Sequence, residues 1–145
     1  MFTALIINTL LIILSVSIHF FVLRFLALVI SFDGILHLRI IIDVLIAIAA
    51  HIVEIVIFGI AFYFMHQQAD LGQLAGGFDG SLIDCLYYSF TTYTSLGIGD
   101  IEPQGWLRFT TGVETLVGLV LITWTASFLY LLMEREWAPM LAKKN

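Results

Sequence analysis

Three long apolar segments restrict most strongly what this chain can fold into. They cover residues 2–23, 40–64 and 106–133, and each has about the 20 residues that an α-helix needs to cross the core of a bilayer. Of the 145 residues, 61% are hydrophobic and only 12% are charged. The sequence therefore predicts an all-α membrane protein with three transmembrane helices.

Composition also argues against several classes of function. The six lysine and arginine residues are scattered along the chain, so there is no basic patch for nucleic acid. Cys85 is the one cysteine, which excludes a disulfide within the chain, and no closely spaced Cys/His pattern suggests a bound metal. We expect no enzyme activity, no cofactor and no nucleic-acid partner.

A glycine-containing loop lies between the second and third apolar segments. Residues 87–100 read YYSFTTYTSLGIGD, and glycine costs about 1 kcal/mol relative to alanine inside a helix. Irregular backbone at membrane depth is tolerated only inside protein or beside a water-filled cavity. Backbone beside such a cavity can turn its carbonyl oxygens inward, which is what an ion filter requires.

This loop resembles a known family. Residues 94–100, TSLGIGD, are similar to the potassium-channel signature TTVGYGD. Tyr87 and Tyr88 stand where that family usually has two aromatic residues on a short pore helix, and the similarity continues through Pro103 into the last helix. Residues 38–133 fit the order helix, pore loop, helix of the family.

The resemblance implies a channel that conducts potassium passively through a filter of backbone oxygens. Ser95 replaces the usual threonine and keeps a hydroxyl for the innermost ion, while Ile98 replaces the usual tyrosine or phenylalanine. A nonselective monovalent cation channel is therefore the alternative. The implied filter ligands, each binding K+, are the hydroxyl of Ser95 and the carbonyls of Leu96, Gly97, Ile98 and Gly99.

One filter loop cannot enclose an ion, so we predict a homotetramer with cyclic symmetry, surrounded by lipid. Two other classes of function remain open. The first is a proton-coupled carrier that uses intramembrane acidic and histidine side chains, and the second is a nonconducting membrane scaffold. The carrier would use Asp43, His51, Glu54 and Glu114.

The pore helix is predicted over residues 82–93. Ser81 is its expected N-cap, with Asp84 three residues later. Twelve residues rise about 18 Å, too short to cross a bilayer, so this helix must re-enter from the outer side.

The filter is expected to be supported from its two ends. Thr94 precedes it, and Tyr87 and Tyr88 lie on the pore helix behind it. At the outer mouth, Asp100 and Glu102 would attract cations. The alternative is that Asp100 forms a hydrogen bond behind the filter and that Glu102 is simply solvated.

Several ionisable residues lie inside the predicted helices. At 100° per residue, Asp43, His51 and Glu54 fall on one side of the second helix, where His51 and Glu54 can pair with each other or with His19 or Glu114. Structural pairing and proton sensing are both open interpretations.

The last helix carries two further candidates for gating. Glu114 is expected to bond the pore helix from behind, through Thr91 or Tyr93, so that its protonation would set the open probability. Gly118 lies near the hinge glycine of the family, or alternatively makes a close contact between helices.

Basic residues predict the orientation and the domain limits. Arg24, Arg39 and the basic tail favour a cytoplasmic C-terminus and an external N-terminus in a multi-pass cell membrane protein. We divide the chain into an N-terminal helix with an interfacial segment (residues 1–37), a pore domain (residues 38–137) and a cytoplasmic tail (residues 138–145). Asp33 and Gly34 break the apolar run at the interfacial segment.

Overall fold

A computed structural model describes residues 1–29 and 36–142. The interfacial segment around Asp33 and Gly34 and the last three residues of the tail lie outside this range. Four α-helices, one 3₁₀ turn and two short strands make up the described part. In chain order these are α1 (Phe2–Val29), α2 (Leu36–His66), the 3₁₀ turn (Ala69–Leu71), β1 (Leu74–Gly76), α3 (Leu82–Tyr93), β2 (Ile101–Pro103) and α4 (Leu107–Ala142).

Three of these helices are long and apolar enough to cross a membrane. The qualifying segments are Phe2–Leu28, Leu38–His66 and Leu107–Arg135, which confirms the three predicted spans. The first and last helices continue past the predicted ends, to Val29 and Ala142. The chain is therefore a multi-pass membrane protein.

The pore helix α3 has the predicted bounds, Leu82–Tyr93, with 12 residues. The Ser81 hydroxyl accepts a hydrogen bond from the Asp84 backbone N–H at 3.1 Å, as expected for an N-cap. The Ser81 N–H donates to the Asp79 carboxylate at 2.8 Å and not to Asp84, while the Asp84 carboxylate accepts from the Asp79 N–H at 2.9 Å. The N-cap residue was therefore predicted correctly. The reciprocal hydrogen bond of a capping box, from the Ser81 N–H to the Asp84 side chain, is replaced by a bond to Asp79.

The sequence did not predict a small two-stranded sheet, called the hairpin below, whose strands lie before α3 and after the filter loop. Strands β1 and β2 pair antiparallel, with Leu74 opposite Pro103 and Gly76 opposite Ile101. Beside the hairpin, Gly72 and Gly105 pass so closely that a Cβ on Gly105 would lie 2.9 Å from the Gly72 Cα. The hairpin fixes the segment after the filter to the segment before α3.

The core lies where α2, α3 and α4 meet, around Phe58, Phe62 and Leu121. Helix α1 packs against α2 and α4 and contributes Ala4 and Leu11 to the same core. The Asn8 amide donates to the Thr110 hydroxyl at 3.0 Å, so the start of α1 lies beside the start of α4. The N-terminus and the hairpin are therefore at the same end of the bundle.

Candidate functional site: the filter loop and its supports

The backbone after α3 alternates in conformation through the predicted filter. Ser95, Gly97 and Gly99 have φ of 57°, 54° and 85°, whereas Leu96 and Ile98 between them do not have positive φ. Such alternation can turn successive carbonyl groups toward one side, as a filter of backbone oxygens requires. Ser95 is the only residue other than glycine with positive φ in the described part of the chain, although this conformation costs an L-residue about 1–2 kcal/mol.

Backbone hydrogen bonds hold this conformation against the end of α3. The Ser95 N–H donates to the Thr92 carbonyl at 2.9 Å, and the Gly97 N–H donates to the Thr91 carbonyl at 3.1 Å. The Thr94 hydroxyl donates back to the Phe90 carbonyl at 2.7 Å. The first half of the filter is thus anchored to the C-terminal turn of the pore helix, whose partial negative charge favours a nearby cation.

The two aromatic residues of the pore helix have different partners. The Tyr87 hydroxyl donates to the Asp100 carboxylate at 2.9 Å, and this bond joins α3 to the outer end of the filter. Tyr88 is buried against Phe62, with ring centroids 5.0 Å apart, and its hydroxyl is 2.7 Å from the Thr111 hydroxyl of α4. Tyr87 therefore contacts the filter end, and Tyr88 fastens α3 to α4.

Asp100 has the partners that the hydrogen-bonding alternative requires. Besides Tyr87, its carboxylate accepts the Ile101 N–H at 3.1 Å, while its backbone carbonyl accepts the Gly77 N–H at 2.8 Å. The carboxylate stabilises the protonated phenol and so raises the pKa of Tyr87 above 10.0. The phenol therefore remains a donor at neutral pH. Glu102 is exposed on β2, as the solvated alternative expects.

Replacing Tyr87 with phenylalanine removes one hydrogen bond and little else. A hydrogen bond of this kind contributes about 1 kcal/mol, which changes the population of filters with a held end by at most about 5-fold, so we expect ion flux through reconstituted protein to fall by up to that factor. Liposome flux measures the effect, with Tyr130→Phe on the exposed surface of α4 as the matched control. An unchanged flux in Tyr87→Phe would show that the Asp100 contact does not support the filter.

Glu114 lies behind the pore helix, but its partner differs from the predicted ones. The fully buried carboxyl contacts the Ser89 hydroxyl, whereas Thr91 or Tyr93 was expected. Ser89 Oγ also lies 2.7 Å from the Ile55 carbonyl. Since a serine hydroxyl has one proton, both contacts are hydrogen bonds only when the Glu114 carboxyl is protonated and donates to Ser89. A role of Glu114 in gating stays a prediction.

Gly118 lies directly against the end of the pore helix. A Cβ at this position would be 2.1 Å from the Tyr93 carbonyl oxygen and 3.0 Å from its carbon. This is the geometry of the close-contact alternative, because only glycine lets the two backbones approach so far. A hinge function stays a prediction.

His51 and Glu54 belong to a larger buried cluster than the sequence indicated. Glu54 Oε1 is 3.0 Å from His19 Nδ1, and Glu54 Oε2 is 3.1 Å from His51 Nδ1. The Tyr93 hydroxyl donates to Glu54, and the Thr125 hydroxyl lies 3.0 Å from His51 Nε2. The pairings with His51 and His19 were predicted, whereas Tyr93 and Thr125 were missed. Nothing in the sequence spacing indicates their contacts.

Comparison with known proteins is consistent with this arrangement. The model of a protein family described as ion channel matches residues 50–135, which is more than half of the chain. The matched range covers the end of α2, the pore helix, the filter loop and most of α4, and it leaves out α1. Neither the curated proteins nor the solved structures gave a match. The chain therefore belongs to the ion channel family, and its pore domain is similar to that of potassium channels.

Proposed function

We propose that this protein is a potassium-selective channel in which the loop from Ser95 to Gly99 forms the filter. The observation that carries the proposal is the alternating positive φ of Ser95, Gly97 and Gly99. Five successive residues in this conformation can present their oxygens to one axis, where they replace the hydration shell of the ion. K+ is the transported ion and not a cofactor.

The proposal includes a homotetramer. In one chain residues 94–100 are all exposed. More than half of the surface of Leu96 and of Ile98 is accessible to solvent. Apolar side chains at such a position are expected to contact other copies around the axis. Four copies also complete the ring of oxygens and place Asp100 and Glu102 of each chain around the outer mouth.

The proposed orientation places the filter end outside a cell membrane. Arg24, Arg39 and Arg135 lie near those ends of the three spans that are opposite the hairpin, and basic residues favour the cytoplasmic side. The N-terminus, which lies at the hairpin end, is then external and the C-terminus cytoplasmic.

A nonselective monovalent cation channel is the second candidate, and Ile98 is the observation that favours it. Its side chain is 56% exposed in the single chain, and isoleucine cannot form the polar contacts that a tyrosine could form with its surroundings. A filter that is less firmly held at this level discriminates less between K+ and Na+.

The test is ion flux into liposomes that contain the purified protein, with K+ and Na+ gradients measured separately. We expect K+ flux with little Na+ flux. Gly97→Ala should abolish it, because an L-residue at φ 54° costs about 1–2 kcal/mol and the four copies add this strain in one ring. No atom lies within 4 Å of the added Cβ in the chain, so the effect comes from the backbone.

Gly80→Ala is the matched control. Gly80 has φ of 89° and also has no neighbour within 4 Å, but it lies in the loop before α3, so flux should persist. Equal K+ and Na+ flux that Gly97→Ala abolishes would instead establish the nonselective channel. Transport that survives Gly97→Ala but requires Glu54 would indicate a carrier, and a stable tetramer without flux would indicate a scaffold.

A further inference from the structure

Two imidazoles and one carboxylate converge inside the helix bundle. His19 lies on α1, and His51 and Glu54 lie on α2; one ligand atom from each lies within 4.8 Å of the others. The exposed fractions of these side chains are 1%, 16% and 0%. Two of the three side chains are thus fully buried inside the bundle, and the His51 ring lies at its edge.

Besides Glu54, His51 Nδ1 lies 2.9 Å from the Tyr93 hydroxyl. The Nε2 atoms of the two histidines face a further group. The only group that the described structure shows near both is the Thr125 hydroxyl, at 3.2 Å from His19 Nε2 and 3.0 Å from His51 Nε2. A hydroxyl has one proton and two acceptor sites, so it can donate to one ring only.

The surroundings of the two Nε2 atoms suit metal-bound histidines. With a cation bound to both Nδ1 atoms, both Nε2 atoms carry hydrogen and both can donate to Thr125, whose oxygen has two lone pairs for them. A histidine that binds a metal typically donates its other N–H to an oxygen in this way.

We propose that His19, His51 and Glu54 bind a divalent transition-metal ion, with Zn²⁺ as the best match. Two imidazoles and one carboxylate are a ligand set that Zn²⁺ uses, with metal–ligand bonds of about 2.0–2.2 Å. Tetrahedral geometry with such bonds separates neighbouring ligand atoms by about 3.3 Å. The observed distances from Glu54 to the two histidines, 3.0 and 3.1 Å, are already close to this value.

The ligand atoms of this cluster do not suit K+, the ion that the filter would conduct, and they do not suit Mg²⁺ or Ca²⁺ either. Potassium, magnesium and calcium prefer oxygen ligands, whereas imidazole nitrogen suits zinc, copper, iron and nickel. Tyr93, whose hydroxyl donates to Glu54, is placed to hold the carboxylate in position or to supply a fourth ligand. The site therefore lies next to the last residue of the pore helix and is chemically separate from the filter.

The experiment measures zinc binding directly and needs no ion flux, so it is independent of the proposed function. Tag-free protein is stripped with a chelator in detergent, titrated with Zn²⁺, and its metal content is determined after gel filtration. We expect one tightly bound Zn²⁺ per chain, undiminished by excess Mg²⁺ or K+. His19→Gln and His51→Gln should each weaken binding at least 100-fold.

Two further variants separate the site from nonspecific binding. Thr125→Val should weaken binding 10- to 100-fold, because it removes the acceptor for both Nε2–H groups. His66→Gln is the matched control: His66 lies at the end of α2 and accepts the Leu74 N–H, so zinc binding should be unchanged.

A measurement on the unaltered protein covers the case in which a histidine variant does not fold. Co²⁺ in place of Zn²⁺ should give the intense visible absorption of a tetrahedral site with nitrogen and oxygen ligands. Folded protein that binds no Zn²⁺ or Co²⁺ at 100-fold molar excess would overturn the proposal. Equal zinc binding in the His19→Gln/His51→Gln double variant would do the same.

Discussion

Replacing Gly118 with alanine should prevent the pore helix from packing against α4 and lower the unfolding temperature of the protein. The added Cβ would lie 2.1 Å from the Tyr93 carbonyl oxygen, and this obstacle is backbone that cannot rotate away. Overpacking in a core costs about 1–3 kcal/mol, and we expect the upper end of that range or more in each chain. Tyr93 also ends α3 directly before the filter, so a shift at this point displaces the filter entrance.

Gly112→Ala on the same helix is the matched control. No atom lies within 4 Å of a Cβ at Gly112, so helix propensity alone should stabilise that variant by about 1 kcal/mol. Thermal unfolding in detergent, followed by circular dichroism and by gel filtration, compares the two. If Gly118→Ala unfolded at the temperature of Gly112→Ala, α4 and α3 would not be in contact at this position.

The architecture could be predicted from local signals in the sequence. A transmembrane helix is recognised by a long run of apolar residues, and these runs located α1, α2 and α4 without knowledge of their contacts. The bounds of α3 followed from the Ser81 cap and from the glycines after Tyr93. These features depend on neighbouring residues only, and that is why they were accessible.

The hairpin could not be predicted in the same way. Each of its strands has three residues, too few to show an alternating pattern. Their pairing joins Ala75 to Glu102 across the whole pore helix and filter. The close approach of Gly72 and Gly105 depends on how the two loops meet in space.

For Glu114, which was expected to contact the pore helix behind the filter, the sequence predicted the location but not the hydrogen-bond partner. The expectation that Glu114 reaches the pore helix was correct, and the choice of Thr91 or Tyr93 was not. Ser89 and Thr91 lie about 200° apart around a helix, so the partner depends on the rotation of α3 about its axis. That rotation follows from packing against α2 and α4, which a single sequence does not specify.

The buried cluster shows the same limit. The i,i+3 spacing of His51 and Glu54 indicated their pairing, because both lie on one helix. Its other members come from α1, α3 and α4. The proposed ligand His19 is 35 positions from Glu54, so a search for closely spaced Cys and His residues could not find the metal site.

Glu54→Leu should be the most destabilising substitution inside this cluster in metal-free protein. Leucine fills a similar volume but removes the acceptor of His19 and one partner each of His51 and Tyr93, which keep each other at 2.9 Å. The His19 N–H is then buried without an acceptor, which costs about 1–3 kcal/mol. The free energy of unfolding, measured by titration with sodium dodecyl sulfate, should fall by about this amount.

A double-mutant cycle with Tyr93→Phe tests the physical reason. Tyr93→Phe alone leaves Glu54 with its two histidines and should cost about 1.5–3 kcal/mol, the range for a hydrogen bond to a charged group. In the double variant the Tyr93–Glu54 hydrogen bond is lost once and not counted twice, so the total cost should be smaller than the sum of the two single costs by about 0.5–3 kcal/mol. Strict additivity would mean that Tyr93 and Glu54 do not interact, and that Tyr93 is held instead by its contact with His51.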